Sequence, residues 1–493
     1  MLPETLLCLL NAGIALAQAK QQLPLNSNSQ FSPSNPPNPP VFSLPTAANL
    51  TITVALCSST NSPPKFFVTN SSSAGVPGPG GGDDVFEIAV EEGHGSWTGI
   101  FDDGGVLAVQ DIGQTSFELG ISDQGPIHEL LSNSDLPLLG DTTSNQALIF
   151  SPAFAEEVEP RPTYPNYTLP SANSSQRSAP SGSPNFTLIL SPTSSSSPLT
   201  ALPQTGCMLS SQRSTGTLSS QNFWLRDTKG WRNQWLIEAL TPATNYTAYV
   251  VQDRTKVSGP IHFVTKSASF ACPLVFNLPY CPNVAYTVPL PQPPTTAGSN
   301  AYTALNLPDE ITKPLLAYLT NFTTTLTTFA CGRDWYSPIV GCDDCQREYR
   351  KWLCTITFTR CGEPSPANPR SFTSSPAPPD ATGLSALHPK DPSAPPQRVF
   401  SALLPQSTDI AKARSRTLPA MGSAYAMLLP CLEVCTAVDR ACPSLVGFTC
   451  PTVQFNAAAS YGVGYSDSAE GEQGEGATGA AQDRWGNIWC NGG

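Results

Sequence analysis

The sequence predicts a multi-domain protein in which β-sandwich-like N-terminal modules are followed by a small, disulfide-rich α-helical domain. From Val41 onward, short apolar segments alternate with Gly, Asp and Asn turns, a pattern typical of an all-β sandwich. Ten of the fifteen cysteines fall in the last third of the chain, and two of their clusters show helical periodicity. A length of 493 residues is enough for two or three domains joined by linkers.

Residues 1–19 are predicted to be a signal peptide. Leu6 to Ala17 form an apolar run that is too short to span a bilayer, and the small-residue pattern Ala17-Gln-Ala19 ends it. Removal of this segment would take Cys8 away and leave fourteen cysteines, an even number that can all pair. We therefore expect the chain to enter the secretory pathway, where disulfides persist.

The first β domain is predicted over residues 41–156. The preceding residues 20–40 are rich in Pro, Asn and Ser and are predicted to be disordered. Strand patterns occur at residues 50–56, 66–68, 85–90, 105–109, 116–121 and 147–150. Residues 157–184, rich in Pro and Ser, are predicted to be a linker.

A second β domain is predicted over residues 185–270. Its corner, Leu240-Thr-Pro-Ala-Thr-Asn-Tyr246, resembles that of fibronectin type III domains, in which the tyrosine begins an inner strand. A generic sandwich corner is the alternative. Residues 271–304 form a Pro-rich crossover that contains Cys272 and Cys281 and leads into the helical domain.

The helical domain is predicted in two parts, residues 305–361 and 419–493, separated by a Pro/Ser-rich inserted loop, residues 362–418, that is too polar to pack. The first helix has its apolar residues on one face, at Ile311, Leu315, Leu319, Phe322, Leu326 and Phe329. This pattern predicts that the helix packs along one side only.

Two further helices contain most of the clustered cysteines. In the first, Cys345, Tyr349 and Trp352 recur at i, i+4 and i+7, with acids at its start and basic residues at its end, which complements the helix dipole. In the second, Cys431, Cys435, Val438 and Cys442 form one stripe. The predicted packing residues are Tyr349, Trp352, Leu353 and Val438.

Structural disulfides are predicted for every cysteine after the signal peptide, with the connectivity left open. These are Cys57, Cys207, Cys272, Cys281, Cys331, Cys342, Cys345, Cys354, Cys361, Cys431, Cys435, Cys442, Cys450 and Cys490. The motif Cys342-x-x-Cys345 could also be a redox pair or half of a zinc site. Neither fits well, because no histidine lies nearby and no βαβ pattern surrounds it.

The composition limits the compartment and the partners. Asn-x-Ser/Thr sequons predict glycosylation at Asn49, Asn70, Asn166, Asn173, Asn185, Asn245 and Asn321. A net charge of −12 argues against nucleic acid, because phosphate binding needs basic patches. After the signal peptide no run of eighteen apolar residues occurs, so we expect an extracellular or lumenal protein that meets a membrane only through a partner.

Catalysis is not predicted, and neither a cofactor nor a metal is expected. The chain contains no Gly-x-Ser-x-Gly motif, and its four histidines are scattered through turns and a strand. Asp343 and Asp344 could be half of a calcium site, but the other oxygen ligands are missing at the required spacing. Acidic residues at a helix N-terminus explain this pair better.

The cysteine-rich third resembles a known family. Trp352-Leu353-Cys354 with Cys361, followed by Pro430-Cys431-x-x-x-Cys435-x-x-Val438-x-x-x-Cys442-Pro443, resembles a Frizzled-type cysteine-rich domain. Together with the signal peptide, the glycosylated β-rich region, Phe-Ala-Cys331, the split domain and Trp-Gly-Asn-x-x-Cys490, the layout resembles the fungal stretch-activated calcium channel component. That family is the auxiliary subunit of the high-affinity calcium uptake channel, and its animal relative is the auxiliary subunit of the sodium-leak channel.

This resemblance implies a non-catalytic regulatory subunit of a plasma-membrane calcium channel. It would support assembly, trafficking and stretch-activated or stress-induced calcium influx. The implied partner is a large pore-forming subunit with four homologous repeats, and the implied location is the extracellular face of the plasma membrane and the endoplasmic reticulum. The alternative is a secreted or wall-associated receptor that binds a lipid or peptide in its Frizzled-like domain. An open apolar groove there would favour the receptor, and a groove closed by Trp352 would disfavour it.

Overall fold

The computed structural model describes residues 20–493 with several gaps. The gaps are residues 74, 83, 133–134, 157–164, 166, 174–177, 295–299, 364–402, 410–417, 453–456, 463–476, 481, 484–487 and 489. The predicted signal peptide, parts of the predicted linker and most of the predicted inserted loop therefore lie outside the described residues. The chain divides into two compact units: one extends to Glu129 and includes Pro203–Met208, and the other contains the remainder.

The first unit is a sandwich of two five-stranded sheets. Its strands are β1 (Gln21–Gln22), β2 (Ser27–Phe31), β3 (Val41–Leu44), β4 (Ala47–Leu56), β5 (Lys65–Thr69), β6 (Phe86–Ile88), β7 (Val90–Glu91), β8 (His94–Phe101), β9 (Gly105–Gln110) and β10 (Phe117–Ser122). The sheet orders are β1-β3-β9-β5-β6 and β2-β10-β4-β8-β7. Phe42 and Phe66 from one sheet and Ile52 and Leu119 from the other share a buried core, as the alternating apolar pattern predicts.

Residues 20–40 differ from the sequence prediction, because the structure places β1 and β2 where disorder is expected. β2 pairs antiparallel with β10, Phe31 opposite Phe117. Leu23 and Phe31 are buried, and the Phe31 ring lies 5.1 Å from that of Phe42. Because the segment is mostly polar, these two apolar residues do not stand out in the sequence. Their burial offsets part of the conformational entropy that the segment loses on folding.

The second unit begins with another sandwich of two four-stranded sheets. Its strands are β11 (Glu129–Leu130), β12 (Leu138–Thr142), β13 (Ala147–Phe150), β14 (Phe186–Pro192), β15 (Thr217–Asp227), β16 (Gly230–Glu238), β17 (Asn245–Gln252) and β18 (Lys256–Val264). The sheet orders are β11-β18-β17-β14 and β12-β13-β16-β15. Tyr246 is fully buried, and its hydroxyl accepts a hydrogen bond from the Thr241 backbone N–H at 2.9 Å. This geometry is that of a tyrosine corner.

The boundary between the β domains also differs from the prediction. β13 lies within the predicted first domain, residues 41–156, yet it pairs with β16 in the second unit, with Ala147 opposite Ile237. Residues 157–184 therefore connect β13 and β14 of one sandwich and do not separate two domains. The apolar pattern of β13 predicts a buried strand but cannot identify the sheet that it joins.

The remainder of the second unit contains the crossover and the helical domain. The short helix α1 (Gly206–Ser210) belongs in part to the first unit, which includes Pro203–Met208. The elements of the crossover and the helical domain are β19 (Leu274–Val275), β20 (Tyr286–Thr287), β21 (Ala301–Tyr302), α2 (Asp309–Thr327), α3 (Cys342–Thr357), β22 (Cys361–Gly362), β23 (Leu403–Gln406), β24 (Tyr425–Leu428), α4 (Leu432–Ala441), α5 (Ala457–Ser460), β25 (Ala477–Ala480) and β26 (Gln482–Asp483). α2 and α3 pack against the crossover strands, where Leu315, Leu319, Leu353 and Tyr286 share one core. A β-rich, multi-domain architecture is thus confirmed.

Candidate functional site

The helical domain is held together by disulfides between its helices and the crossover. Cys345 in α3 bonds to Cys442 at the end of α4, with their Cα atoms 4.5 Å apart. Cys354, also in α3, bonds to Cys281 in the crossover. α3 is therefore covalently fixed on two sides, which limits its freedom in the folded and unfolded states.

All fourteen cysteines after the predicted signal peptide form disulfides in the structure. The pairs are Cys57–Cys207, Cys272–Cys361, Cys281–Cys354, Cys331–Cys342, Cys345–Cys442, Cys431–Cys490 and Cys435–Cys450. The two cysteines of Cys342-x-x-Cys345 bond to different partners, Cys331 and Cys442. In this arrangement the motif is neither a redox pair nor a pair of metal ligands.

The start of α3 shows why this segment is helical. The Gly341 backbone N–H donates to Asp344 Oδ2 at 2.8 Å, and the Arg347 guanidinium donates to Asp344 Oδ1 at 2.8 Å. Asp343 and Asp344 lie in the first turn, where a carboxylate interacts favourably with the helix dipole. These contacts support the interpretation of the two acids as helix-start residues.

An aromatic cluster fills the space between α2, α3 and the segment after α4. The Phe322 and Tyr349 rings stack with centroids 3.5 Å apart, and the Trp352 ring meets Phe448 at 4.9 Å, close to perpendicular. The Trp352 indole N–H donates to the Tyr461 hydroxyl at 3.0 Å. Such ring pairs contribute about 0.5–1.5 kcal/mol beyond the area that they bury.

The four predicted packing residues lie at or beside this cluster and the domain core. Leu353 is 8 % exposed and Val438 is fully buried, whereas Tyr349 and Trp352 are half-buried. Trp352 also packs against the Cys431–Cys490 disulfide and Val434. On this side Trp352 is thus in contact with the domain's own side chains.

We expect Trp352→Phe to lower the free energy of unfolding by about 1–2 kcal/mol, because it removes the hydrogen bond to Tyr461 and leaves a gap against Phe448. Trp335→Phe is the matched control, since Trp335 is 80 % exposed and its replacement should change stability by less than about 0.5 kcal/mol. Denaturant unfolding of the two secreted variants measures both. Equal midpoints for the two variants would contradict the role of the cluster.

A buried carboxylate joins the β sandwich of the second unit to its helical domain. Asp141 in β12 is 1 % exposed, and its Oδ2 accepts from Arg360 Nε at 3.0 Å and from the Thr287 hydroxyl at 2.9 Å. Lys266 Nζ lies 3.7 Å from its Oδ1. Burial alone would raise the pKa of Asp141, but the charges of Arg360 and Lys266 hold it below its ordinary value. Asp141 is therefore ionised at neutral pH and fixes three segments together.

A second buried polar network lies in the first unit. His128 Nε2 is 3.1 Å from Glu118 Oε2, and the Asn28 amide donates to the same oxygen at 2.8 Å. Burial alone would raise the pKa of Glu118, but the hydrogen bonds from His128 and Asn28 hold it below its ordinary value. His128 Nδ1 is 3.0 Å from the Thr53 hydroxyl. These contacts join β2, β4 and β10, which is a structural role.

Two groups among the described residues have the proximity of metal ligands, but their chemistry does not fit. They are Cys57, Glu118 and Cys207, and Cys431, Glu433 and Cys490. In both groups the cysteine sulfurs are bonded to each other, so no thiolate is available to bind a metal.

The sequon asparagines that the structure describes are all exposed. These are Asn49, Asn70, Asn173, Asn185, Asn245 and Asn321. Asn166 lies outside the described residues. Glycosylation at the seven positions remains a prediction, and exposure of six of them makes the modification sterically possible.

The sequence prediction did not single out the loop between Cys331 and Cys342. This loop exposes Trp335 and Ile339, at 80 % and 76 %. The signal that could have identified it is a tryptophan three residues before Pro338, within an interval bounded by two cysteines eleven positions apart. Because the disulfide closes a short loop, large apolar side chains within it remain near the surface.

Within the described part of the chain, no helix combines the length and the apolar character that crossing a bilayer requires.

The profile of the Mid1 family, described as a stretch-activated Ca²⁺-permeable channel component, matches residues 47–480.

Three fungal proteins are similar in sequence. The chain is 33 % identical over 522 aligned positions to the stretch-activated cation channel MID1 of Cryptococcus neoformans var. grubii, which covers 92 % of this chain and 81 % of that protein. It is 27 % identical to the stretch-activated cation channel yam8 of Schizosaccharomyces pombe, over 47 % of this chain and 41 % of that protein. It is also 27 % identical to the stretch-activated cation channel MID1 of Saccharomyces cerevisiae, over 44 % and 34 % respectively.

Proposed function

The chain belongs to the family of stretch-activated Ca²⁺-permeable channel components, and from this premise we propose that it is a non-catalytic auxiliary subunit of a plasma-membrane calcium channel. In this role it supports assembly and trafficking of the channel and calcium influx under stretch or stress. Its partner is a large pore-forming subunit with four homologous repeats. The family is one of channel components and not a class of enzymes. This agrees with the sequence, in which no catalytic motif is predicted.

The observation that supports this role most directly is the covalently fixed helical domain. Cys345–Cys442, Cys281–Cys354 and Cys431–Cys490 hold its helices and terminal segment in one arrangement. A surface that is already ordered loses little conformational entropy on binding, which favours a stable complex with a partner. Seven disulfides also agree with a location on the extracellular face of the plasma membrane, reached through the endoplasmic reticulum.

We also propose that the helical domain is Frizzled-like, on the cysteine pattern around α3 and α4. The lipid or peptide receptor function that this likeness suggests is disfavoured by the aromatic cluster. The space between the helices is occupied by aromatic rings that contact one another, those of Phe322, Tyr349, Trp352 and Phe448. An acyl chain would have to displace these contacts.

Affinity purification of the tagged full chain from fungal membranes tests the function. We expect a large multi-span channel subunit to co-purify, and deletion of the gene to reduce calcium accumulation under mating or cold stress. An unrelated secreted glycoprotein with the same tag is the control. Recovery of the chain without a channel subunit, together with normal calcium uptake in the deletion strain, would refute the proposal. A bound lipid or peptide recovered in its place would favour the receptor.

A further inference from the structure

The disulfide-closed loop of residues 331–342 presents two large apolar side chains to the surface. Trp335 is 80 % exposed and Ile339 is 76 % exposed. Tryptophan is usually largely buried in a folded protein, and it is enriched among the residues that dominate binding energy at interfaces. Its exposure here therefore indicates a contact surface.

The loop is held in a fixed conformation. The Cys331–Cys342 disulfide closes it, and the Tyr336 hydroxyl donates to the Ala441 carbonyl oxygen at the end of α4, at 2.7 Å. Gly332 has φ +79°, and a Cβ at this position would lie 2.3 Å from Cδ2 of the Tyr167 ring. Only glycine fits this close approach, so the loop backbone is seated directly on the tyrosine.

The loop is also joined to the two cysteine-bearing helices. Its last residue, Cys342, begins α3, and the Gly341 N–H is bound by Asp344 of the first turn. Tyr336 contacts the residue that precedes Cys442, which is bonded to Cys345 of α3. Trp335 and Ile339 therefore project from the most strongly cross-linked part of the domain, and binding through them costs little ordering entropy.

The charges of the loop favour a protein partner over a lipid surface. Arg333 and Asp334 pair with each other, Nε to Oδ2 at 3.1 Å, so the loop has no net charge. The whole chain has a net charge of −12. Attraction to anionic membranes requires clusters of Lys and Arg near the surface, which this loop does not provide. A neutral loop with an exposed indole fits an apolar pocket on a protein.

The loop itself is not a predicted glycosylation site. The sequon at Asn321 lies on the exposed side of α2, three residues from Tyr318, which is 58 % exposed. A glycan at Asn321 would cover that part of α2. Residues 331–342 contain no sequon.

We propose that the 331–342 loop is the docking element of this protein, and that Trp335, supported by Ile339, inserts into an apolar pocket on the extracellular surface of the pore-forming channel subunit. This inference rests on the proposed function and extends it by naming the surface. The partner's pocket is lined by aliphatic or aromatic side chains, because the loop offers the indole ring and a β-branched side chain.

The test compares full-length variants for capture of the pore-forming subunit from solubilised membranes. We expect Trp335→Ala to weaken capture about 30-fold, the size of effect found when a central tryptophan is removed from an interface, and Ile339→Ala to weaken it several-fold. Tyr318→Ala is the matched control and should change capture less than about twofold. All three should be secreted at the wild-type level and keep the wild-type thermal unfolding midpoint, because the replaced side chains are exposed.

The outcomes separate this inference from the proposed function. Failure of the wild-type chain to capture any channel subunit overturns both. Capture by the wild type and equally by Trp335→Ala overturns the docking loop and leaves the channel function intact.

Two further measurements use the purified chain: flotation with phosphatidylcholine vesicles containing phosphatidylserine, and sedimentation. Loss of vesicle binding, or of a dimer, in Trp335→Ala with unchanged channel capture would assign the loop to a membrane or to a second copy and overturn the inference.

Discussion

Replacing Cys345 by serine is expected to lower the free energy of unfolding by about 4–5 kcal/mol and to retain the protein in the endoplasmic reticulum. The Cys345–Cys442 bond spans 97 residues, and in the chain-entropy model a closed loop of about 100 residues contributes about 4.7 kcal/mol. Total stabilities are commonly about 5–15 kcal/mol, so a loss of this size removes about a third or more of the stability and raises the ratio of unfolded to folded molecules about 10³-fold. Calcium accumulation should fall with the amount at the surface.

A shorter bridge, which starts at Cys435 in α4, provides the comparison. Cys435–Cys450 spans 15 residues, for which the same model gives about 3 kcal/mol. A smaller fraction of the Cys435→Ser protein than of the Cys345→Ser protein should therefore be retained in the endoplasmic reticulum. The double variant Cys345→Ser/Cys442→Ser removes the free thiol that the single variant leaves. If that thiol, and not lost stability, caused retention, the double variant would reach the surface. Endoglycosidase sensitivity measures retention, and a Cys345→Ser variant with normal surface level would contradict the role of the bond.

The parts of this fold that the sequence predicts are those set by local patterns. α3 and α4 follow the i, i+4, i+7 spacing of their cysteines and apolar residues, and the corner before Tyr246 follows from one short motif. In both cases the residues that determine the structure are neighbours in sequence. Local sequence patterns therefore predict them without knowledge of the rest of the chain.

The parts of the fold that the sequence does not predict depend on contacts between residues that are distant in sequence. The joining of β13 to β16 and the contact of Phe31 with Phe42 and Phe117 require knowledge of which surfaces meet. The cysteine pairing is of the same kind, since Cys345 and Cys442 lie on helices that each show a complete local pattern. The exposure of Trp335 likewise follows from the closure of its loop and from the contact between Gly332 and Tyr167.

Replacing Asp141 by asparagine is expected to lower the free energy of unfolding by about 3–5 kcal/mol at neutral pH. The carboxylate accepts hydrogen bonds from Arg360 and Thr287 on one oxygen, and the other faces Lys266 and the Thr142 N–H. An asparagine presents an N–H to one of these donor sets and leaves Arg360 without a counter-charge. Removing one member of a buried ion pair has this cost because the remaining charge stays desolvated.

The pH dependence distinguishes this mechanism from a packing defect. The pKa of Asp141 is lower in the folded protein than the value of about 3.9 expected after unfolding, so its contribution is complete above about pH 5 and is lost progressively as the pH falls towards the folded-state pKa. The stability difference between the wild type and Asp141→Asn should therefore be constant near neutrality and shrink below about pH 4. Asp309→Asn, which removes an exposed partner of Lys313, should leave the unfolding midpoint nearly unchanged at every pH. A difference for Asp141→Asn that persists unchanged at pH 2 would mean that shape, and not the charge of Asp141, joins the sandwich to the helical domain.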